Sequence, residues 1–391
     1  MRFIACLAVV LVLAGCSNGP VAKASPPPAT ASPSPTTVAP SLAPSPSPSE
    51  PSDDLRYMRM TSLSIMWAAT LKLVLRSTDA GRHWSDVTPT NTPTRSAPSP
   101  NPQPVLFAVD DSAAWVAYGA FIGGPYVIFR TTNGGASWLA AAAPLQRGGI
   151  AALYFVDRTN GWATASLGAA AGSEGIAILR TVNGGASWSF IAQTNDPSTT
   201  QSSPSGLSFN CDKGIATFAT STVGVIPIEC AGGPATLYRT IDAGFHWKVI
   251  SLVQLDARGG TAALANSPTF LTTSDAILQA SSYLAANQAT WSLLVTHDAG
   301  ASWLDFLVPG RGAIDFESST SGWLLGSPIE VTSDAGSTWR ALSVPAPPFE
   351  PTDMQLQYLG KGIATAWSEF AAFRTDDGAV TWRAITPPQL S

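Results

Sequence analysis

The stretch Thr181–Trp188 reads TVNGGASW, and close copies of it recur along the 391-residue chain. They are Ser77–Trp84 (STDAGRHW), Thr131–Trp138 (TTNGGASW), Thr240–Trp247 (TIDAGFHW), Thr296–Trp303 (THDAGASW), Thr332–Trp339 (TSDAGSTW) and Thr375–Trp382 (TDDGAVTW). The residue types are those of a tight hairpin turn. At the third position Asp79, Asn133, Asn183, Asp242, Asp298, Asp334 and Asp377 supply a side-chain oxygen that accepts hydrogen bonds from main-chain N–H groups further along the turn. At the fifth, Gly81, Gly135, Gly185, Gly244, Gly300 and Gly336 take the positive φ that other residues resist. A hydroxyl at the first position bonds the same turn. The closing Trp84, Trp138, Trp188, Trp247, Trp303, Trp339 and Trp382 each start a new strand and cover the hairpin with a large apolar ring.

Successive closing tryptophans lie 36 to 59 residues apart, the size of a four-stranded blade rather than of a helical repeat. Before most turns runs an apolar strand ending in Arg: Arg76, Arg130, Arg180, Arg239 and Arg374. Further upstream comes a second short strand, read as SIMWAA around Trp67, AAWVAY around Trp115, NGWATA around Trp162, SGWLLG around Trp323, KGIATF at Gly214 and KGIATAW at Gly362. Before that lies an alternating segment such as LYFVD ending at Asp157. Three strands before each turn and one after it make a four-stranded antiparallel blade. The expectation is therefore an all-β, seven-bladed β-propeller over residues 54–391. Charged residues make up only 12% of the chain, against 33 Gly, 32 Pro and 13 Trp, as many short strands and tight turns require. A net charge of −5 excludes a basic field for nucleic acid.

The N-terminus carries Arg2, then an apolar run from Phe3 to Leu13 that is too short to span a bilayer, then Ala14, Gly15 and Cys16. These last residues resemble the lipobox of bacterial lipoproteins. The expectation is a signal peptide over residues 1–15, cleavage before Cys16, and acylation of Cys16 by fatty chains such as palmitate. The protein would then sit in the cell envelope, on the outer leaflet of the cytoplasmic membrane or on the outer membrane. Residues 16–53 are nearly all Pro, Ser, Ala and Thr, the composition of a disordered, extended stalk. Cys211 and Cys230 remain for a disulfide, with two buried thiols as the alternative. Their pairing requires the second strand of the fourth blade to run into Glu229.

The repeated turn resembles the Asp-box, or BNR, repeat of bacterial sialidases, xyloglucanase-type glycosidases and sortilin-type receptors. With a GW strand upstream, residues 55 to 388 are most similar to the photosystem II stability and assembly factor group and its relatives in non-photosynthetic bacteria. The resemblance implies the propeller fold, while the activity differs among these families. The chain departs from the pattern twice. The last copy has Gly378 one place early with Ala379 following, and the fifth blade offers SDAILQA at Ser274 in place of a GW strand.

The turns themselves read as structure. Asn133 and Asn183 accept the turn's hydrogen bonds but have no carboxylate for acid or nucleophilic chemistry, and a turn with one or two acidic groups is no calcium loop. His83, His246 and His297 fall on turns of different blades and do not converge on a metal. No catalytic residue, metal or cofactor is assigned. The pre-turn arginines either form a basic ring or pair with nearby carboxylates and carbonyls. A sialidase needs an arginine triad, and its early Arg-Ile-Pro signature is absent. A xyloglucanase-type glycosidase needs two opposed carboxylates, for which Asp110, Asp157 and Asp315 are candidates, although Asp at a strand end is commonly a turn residue. A ligand face is expected opposite the turns, where loops carry Phe121, Tyr126, Glu174 and Tyr283. The expected role is non-catalytic binding or assembly, with a protein or envelope glycan as partner; the alternative is a glycoside hydrolase.

Overall fold

The computed structural model describes residues 54–90, 104–118, 126–196, 198, 202–230, 233–252, 255, 261–264, 267–284 and 288–387. The signal peptide, Cys16, the stalk and Phe121 lie outside them. The described chain is all β apart from a few helical residues, and its strands form seven antiparallel sheets, each built from consecutive strands. Blade 1 runs Leu55–Met60, Met66–Thr70, Val74–Ser77 and Ser85–Asp86; blade 7 runs Gln355–Gly360, Ile363–Trp367, Ala372–Thr375 and Arg383–Ala384. Each eight-residue turn joins the third and fourth strands of its blade, as its spacing predicts.

The turn is closed the same way seven times. The first-position hydroxyl donates to the third-position side-chain oxygen and accepts from the fifth-position N–H, at 2.8–3.0 Å. The same side-chain oxygen accepts the N–H of the seventh residue. Its second atom then meets the seventh side chain. Asp298 accepts from Ser302 Oγ, whereas the Asn133 and Asn183 amides donate to Ser137 and Ser187 Oγ. Reversal of this one bond lets an amide replace a carboxylate without altering the turn.

Positive φ is needed at two positions rather than one. The fourth residue has φ between 55° and 76° and the fifth between 69° and 94°. In the last turn Gly378 and Ala379 (φ 76° and 69°) simply exchange which of the two is glycine. Blade 7 is accordingly regular, and blade 5 has SDAILQA entering its second strand, Ala276–Leu284. At most seams the fifth-position glycine is also the point of closest approach to the preceding blade. A Cβ on Gly135 would stand 2.6 Å from Val87 Cβ of blade 1, and one on Gly336 would stand 2.4 Å from Leu293 Cδ2 of blade 5.

Tryptophans of the second strands reach the other way, onto the following blade. Trp115 stacks on Phe155 of blade 3 at 3.6 Å between centroids and donates its indole N–H to Gly184 O. Trp162 stacks on Phe218 of blade 4 at 3.6 Å and donates to Ala243 O, while Trp323 of blade 6 stacks on Tyr358 of blade 7. All are nearly or fully buried. The core is thus divided into clusters at the seams rather than gathered in one centre.

Two expectations need correction. KGIATF is not a second strand: it supplies the broken first strand of blade 4, Asp212–Lys213 and Thr217–Phe218, and the second strand is Gly224–Glu229. That strand does run into Glu229, which pairs with Asp212, so Cys211 and Cys230 stand 4.5 Å apart at Cα and are joined as a disulfide. The region after the second strand of blade 3 is also no loop. Strands Gly161–Ala170 and Ser173–Thr181 continue as a ribbon to a two-residue turn at Ala171 and Gly172, both at positive φ, the geometry that suits the twist of a hairpin.

Trp162→Ala should cost about 3–5 kcal/mol in urea unfolding, because a stacked, fully buried ring leaves a cavity at a seam. Gly135→Ala should cost more than Gly134→Ala. The first drives a methyl into Val87, at about 1–3 kcal/mol for overpacking; the second meets only the end of the Arg76 side chain, 3.0 Å away.

Candidate functional site

The first strand of each blade forms its inner edge, and those of blades 1, 5, 6 and 7 line a cavity of about 500 Å³ at the centre of the ring. Side chains of the preceding blade bond some of the main-chain groups along this inner rim. Ala108 N donates to Tyr57 Oη, Tyr154 Oη donates to Phe218 O, and Tyr358 N donates to Asp315 Oδ2. Gln279 binds Gly312 O and Ile314 N with its two amide atoms. Gln357 does the same to Met60, at 2.7 and 2.8 Å, and so joins blade 7 to blade 1.

Arg59 projects among these groups. Its guanidinium lies over the Phe107 ring of blade 2, 5.1 Å from the centroid. Burial pushes the Tyr57 hydroxyl up, that of Tyr154 up to about 12 and the Asp315 carboxyl up to about 6, and the Arg59 charge opposes all three shifts. Since these groups stand on blades 1, 3 and 6, the guanidinium is central to the ring. None of the ion pairs among the described residues includes it.

Of the three aspartates nominated from sequence, only Asp315 reaches the cavity. Asp110 caps the N–H groups of Ser112 and Ala113 and pairs with Arg158; Asp157 caps Thr159 and Asn160. Both are turn residues. The second carboxylate in the cavity wall is Glu317, two residues along the same strand end as Asp315.

Four of the five pre-turn arginines are engaged rather than forming a free ring. Arg76 donates to Asp111 O of blade 2, Arg180 to Ser221 O of blade 4 and Arg239 to Ala299 O of blade 5, while the buried Arg374 pairs with Asp376. The three histidines bind aspartates on separate turns: His83 with Asp79, His246 with Asp242, His297 with Asp275. No group of three or more metal-ligating side chains occurs among the described residues.

On the face opposite the turns, Tyr126 is a core residue and not a contact residue: it is 3% exposed and its hydroxyl donates to Gly148 O. Glu174 sits in the blade 3 ribbon, its N–H donating to Cys211 O. Tyr283, on a ribbon of blade 5, is 52% exposed. The structure does not bring these residues into one site. Beside Glu174, Lys213 Nζ stands 2.7–3.1 Å from four carbonyl oxygens, those of Glu174, Phe209, Asn210 and Cys211, and burial pushes its amine down to about 8. This ammonium ties the blade 3 ribbon to the disulfide-bonded segment of blade 4.

No family model matches the chain, and no curated protein matches it. Among solved structures, polysaccharide lyase Uly1 is 8% identical, with 84% of this chain and 87% of that chain covered at a TM-score of 0.51. YCF48 bound to D1 peptide is 13% identical over 80% of this chain and 88% of that one, with a TM-score of 0.46. The GH74 xyloglucanase from Xanthomonas campestris is 12% identical over 86% and 66%, with a TM-score of 0.36. The class these observations define is the seven-bladed β-propeller of four-stranded blades.

The turn carboxylates predict a definite response to acid. Hydrogen bonds from His83 hold Asp79 well below the usual carboxylate range, and hydrogen bonds also hold Asp334 and Asp377 low, as they do Asp242 and Asp298 against the opposing effect of burial. A depressed folded value means that their contribution is complete above the unfolded value, about pH 4, and is lost as pH falls through the folded ones. Thermal melts should therefore fall below pH 4, whereas between neutrality and about pH 5 stability should rise slightly as the raised Asp315 carboxyl takes up its proton. Asp242→Asn should fold with a small loss and a shallower acid limb.

Proposed function

We propose that this chain is a lipid-anchored, extracytoplasmic propeller of the Asp-box kind, related to the photosystem II assembly factor-like group, that binds its ligand without transforming it. Its partner is a protein or an envelope glycan, and the central cavity is where that ligand is met. The observation that carries this reading is the distribution of carboxylates. Glycoside hydrolysis requires an acid and a base or nucleophile on opposite sides of the scissile bond. Here Asp315 and Glu317 stand on one wall, and blades 1, 5 and 7 contribute no carboxylate to the cavity lining. A sialidase-type triad has no support either, since Arg76, Arg180, Arg239 and Arg374 are engaged at seams and turns and Arg59 is the one arginine in the lining among the described residues. Tyr57 is not a ready base: burial raises its pKa, and its oxygen already accepts the N–H of Ala108.

The anchor follows from Cys16 and the apolar run before it. In the native host, Cys16→Ser should abolish acylation and globomycin-sensitive processing and release the protein from the membrane fraction; unchanged membrane retention would refute the anchor. The full-length protein should show no turnover of fluorogenic sialosides or xylogluco-oligosaccharides. Turnover that disappears in Asp315→Asn would replace the binding reading with the glycosidase one.

A further inference from the structure

We propose that the central cavity binds an acidic glycan, with Arg59 taking the carboxylate of a uronic acid residue. This rests on the binding reading above and names its ligand class. The first support is the state of the guanidinium. Arg59 rests on the Phe107 ring, and its charge reaches Tyr154 on blade 3 and Asp315 on blade 6. It hydrogen-bonds the Tyr57 hydroxyl on its own strand but is in no ion pair with them, and the Asp315 carboxylate is engaged by the Tyr358 N–H at 2.8 Å. A guanidinium backed by a ring and facing a cavity offers a planar fork of donors, and carboxylate is the group whose two oxygens match that fork.

The second support separates a sugar from a peptide. An extended peptide gains affinity by pairing with an open strand edge. Part of the inner rim is already occupied: Gln357, Gln279, Asp315, Tyr57 and Tyr154 bond the main chain of Met60, Gly312, Ile314, Tyr358, Ala108 and Phe218, of which Tyr358 lies in the cavity lining. What the cavity presents is side chains, including the rings of Tyr57, Phe270 and Trp367 beside Arg59. Flat rings with a few polar groups suit the apolar faces and hydroxyls of sugars, and about 500 Å³ lies within the range of small-ligand sites. Asp315 and Glu317 on the blade 6 wall repel a carboxylate, and so direct it to the Arg59 side.

The test is calorimetric titration of the full-length protein at pH 7.5 with trigalacturonate and with its carboxyl-reduced, neutral counterpart. The wild type should bind the acid trimer and bind the neutral one at least tenfold more weakly. Arg59→Gln should lose at least tenfold for the acid trimer and nothing for the neutral one, with Arg59→Lys in between. Melting curves establish that each variant is folded; if Arg59→Gln is not, the Lys variant and the neutral trimer decide the matter. Equal affinity for both trimers, undiminished binding by Arg59→Gln, or no binding at millimolar acid trimer would overturn the assignment. Capture of a protein partner in the last case would leave the binding reading standing while this inference fails. Arg59-dependent binding followed by cleavage would uphold the uronate site and remove the non-catalytic reading instead.

Discussion

Each blade meets its neighbours through contacts that tolerate almost no change of volume. On one side a turn glycine stands so close to the preceding blade that a methyl group would overlap a side chain there, as at Gly135 against Val87. On the other side, at three seams, an indole lies flat on an aromatic ring of the following blade, and at two of them it also bonds a carbonyl of its turn, as Trp162 does with Phe218 and Ala243. The hydrogen bonds inside the turn hold its main chain where both contacts are possible. Propeller geometry is therefore a property of the seams, and the hydrophobic clusters follow them. Where the pattern changes, the seam changes with it: Ala379 takes the glycine's place and its methyl is wholly buried beside blade 6.

The inner rim faces a different constraint. Seven inner strands present unpaired main-chain groups, a liability in any sheet edge. Side chains from the adjacent blade satisfy many of them, with glutamine amides serving twice because one amide both donates and accepts. This arrangement stiffens the ring and also determines what the cavity offers a ligand. Some main-chain groups of the rim are taken up in this way, and the proposed recognition falls to Arg59 and the rings in the lining.

The turns were legible in the sequence because their chemistry is local: a hydroxyl, an acceptor and a residue at positive φ within eight positions. Blade number and strand order followed from counting them. KGIATF misled because its resemblance to KGIATAW is real, but the following GVIPIE, with a proline in it, occupies the second-strand place. Tyr126 read as a loop aromatic because nothing nearby in sequence reveals that its hydroxyl meets Gly148. Arg59 and Gln357 were overlooked for the same reason, as their partners lie on other blades. One signal was present: LRYMRM places Tyr57 and Arg59 two residues apart, hence on one face of an innermost strand where apolar residues are the norm.

Among the described residues no blade borrows a strand from another, so blades 1 and 7 meet at a seam held by the Leu55 N–H on Glu369 O and by side chains: the Gln357 amide on Met60, Arg383 on the carbonyl of Ala80, and Trp84 on that of Ile385. Every sheet formed by the described residues is completed by consecutive strands, those beside the joint included. A ring cut at another link between blades would contain the same sheets in the same order, and a lineage could gain or lose a whole repeat without first dismantling a shared one.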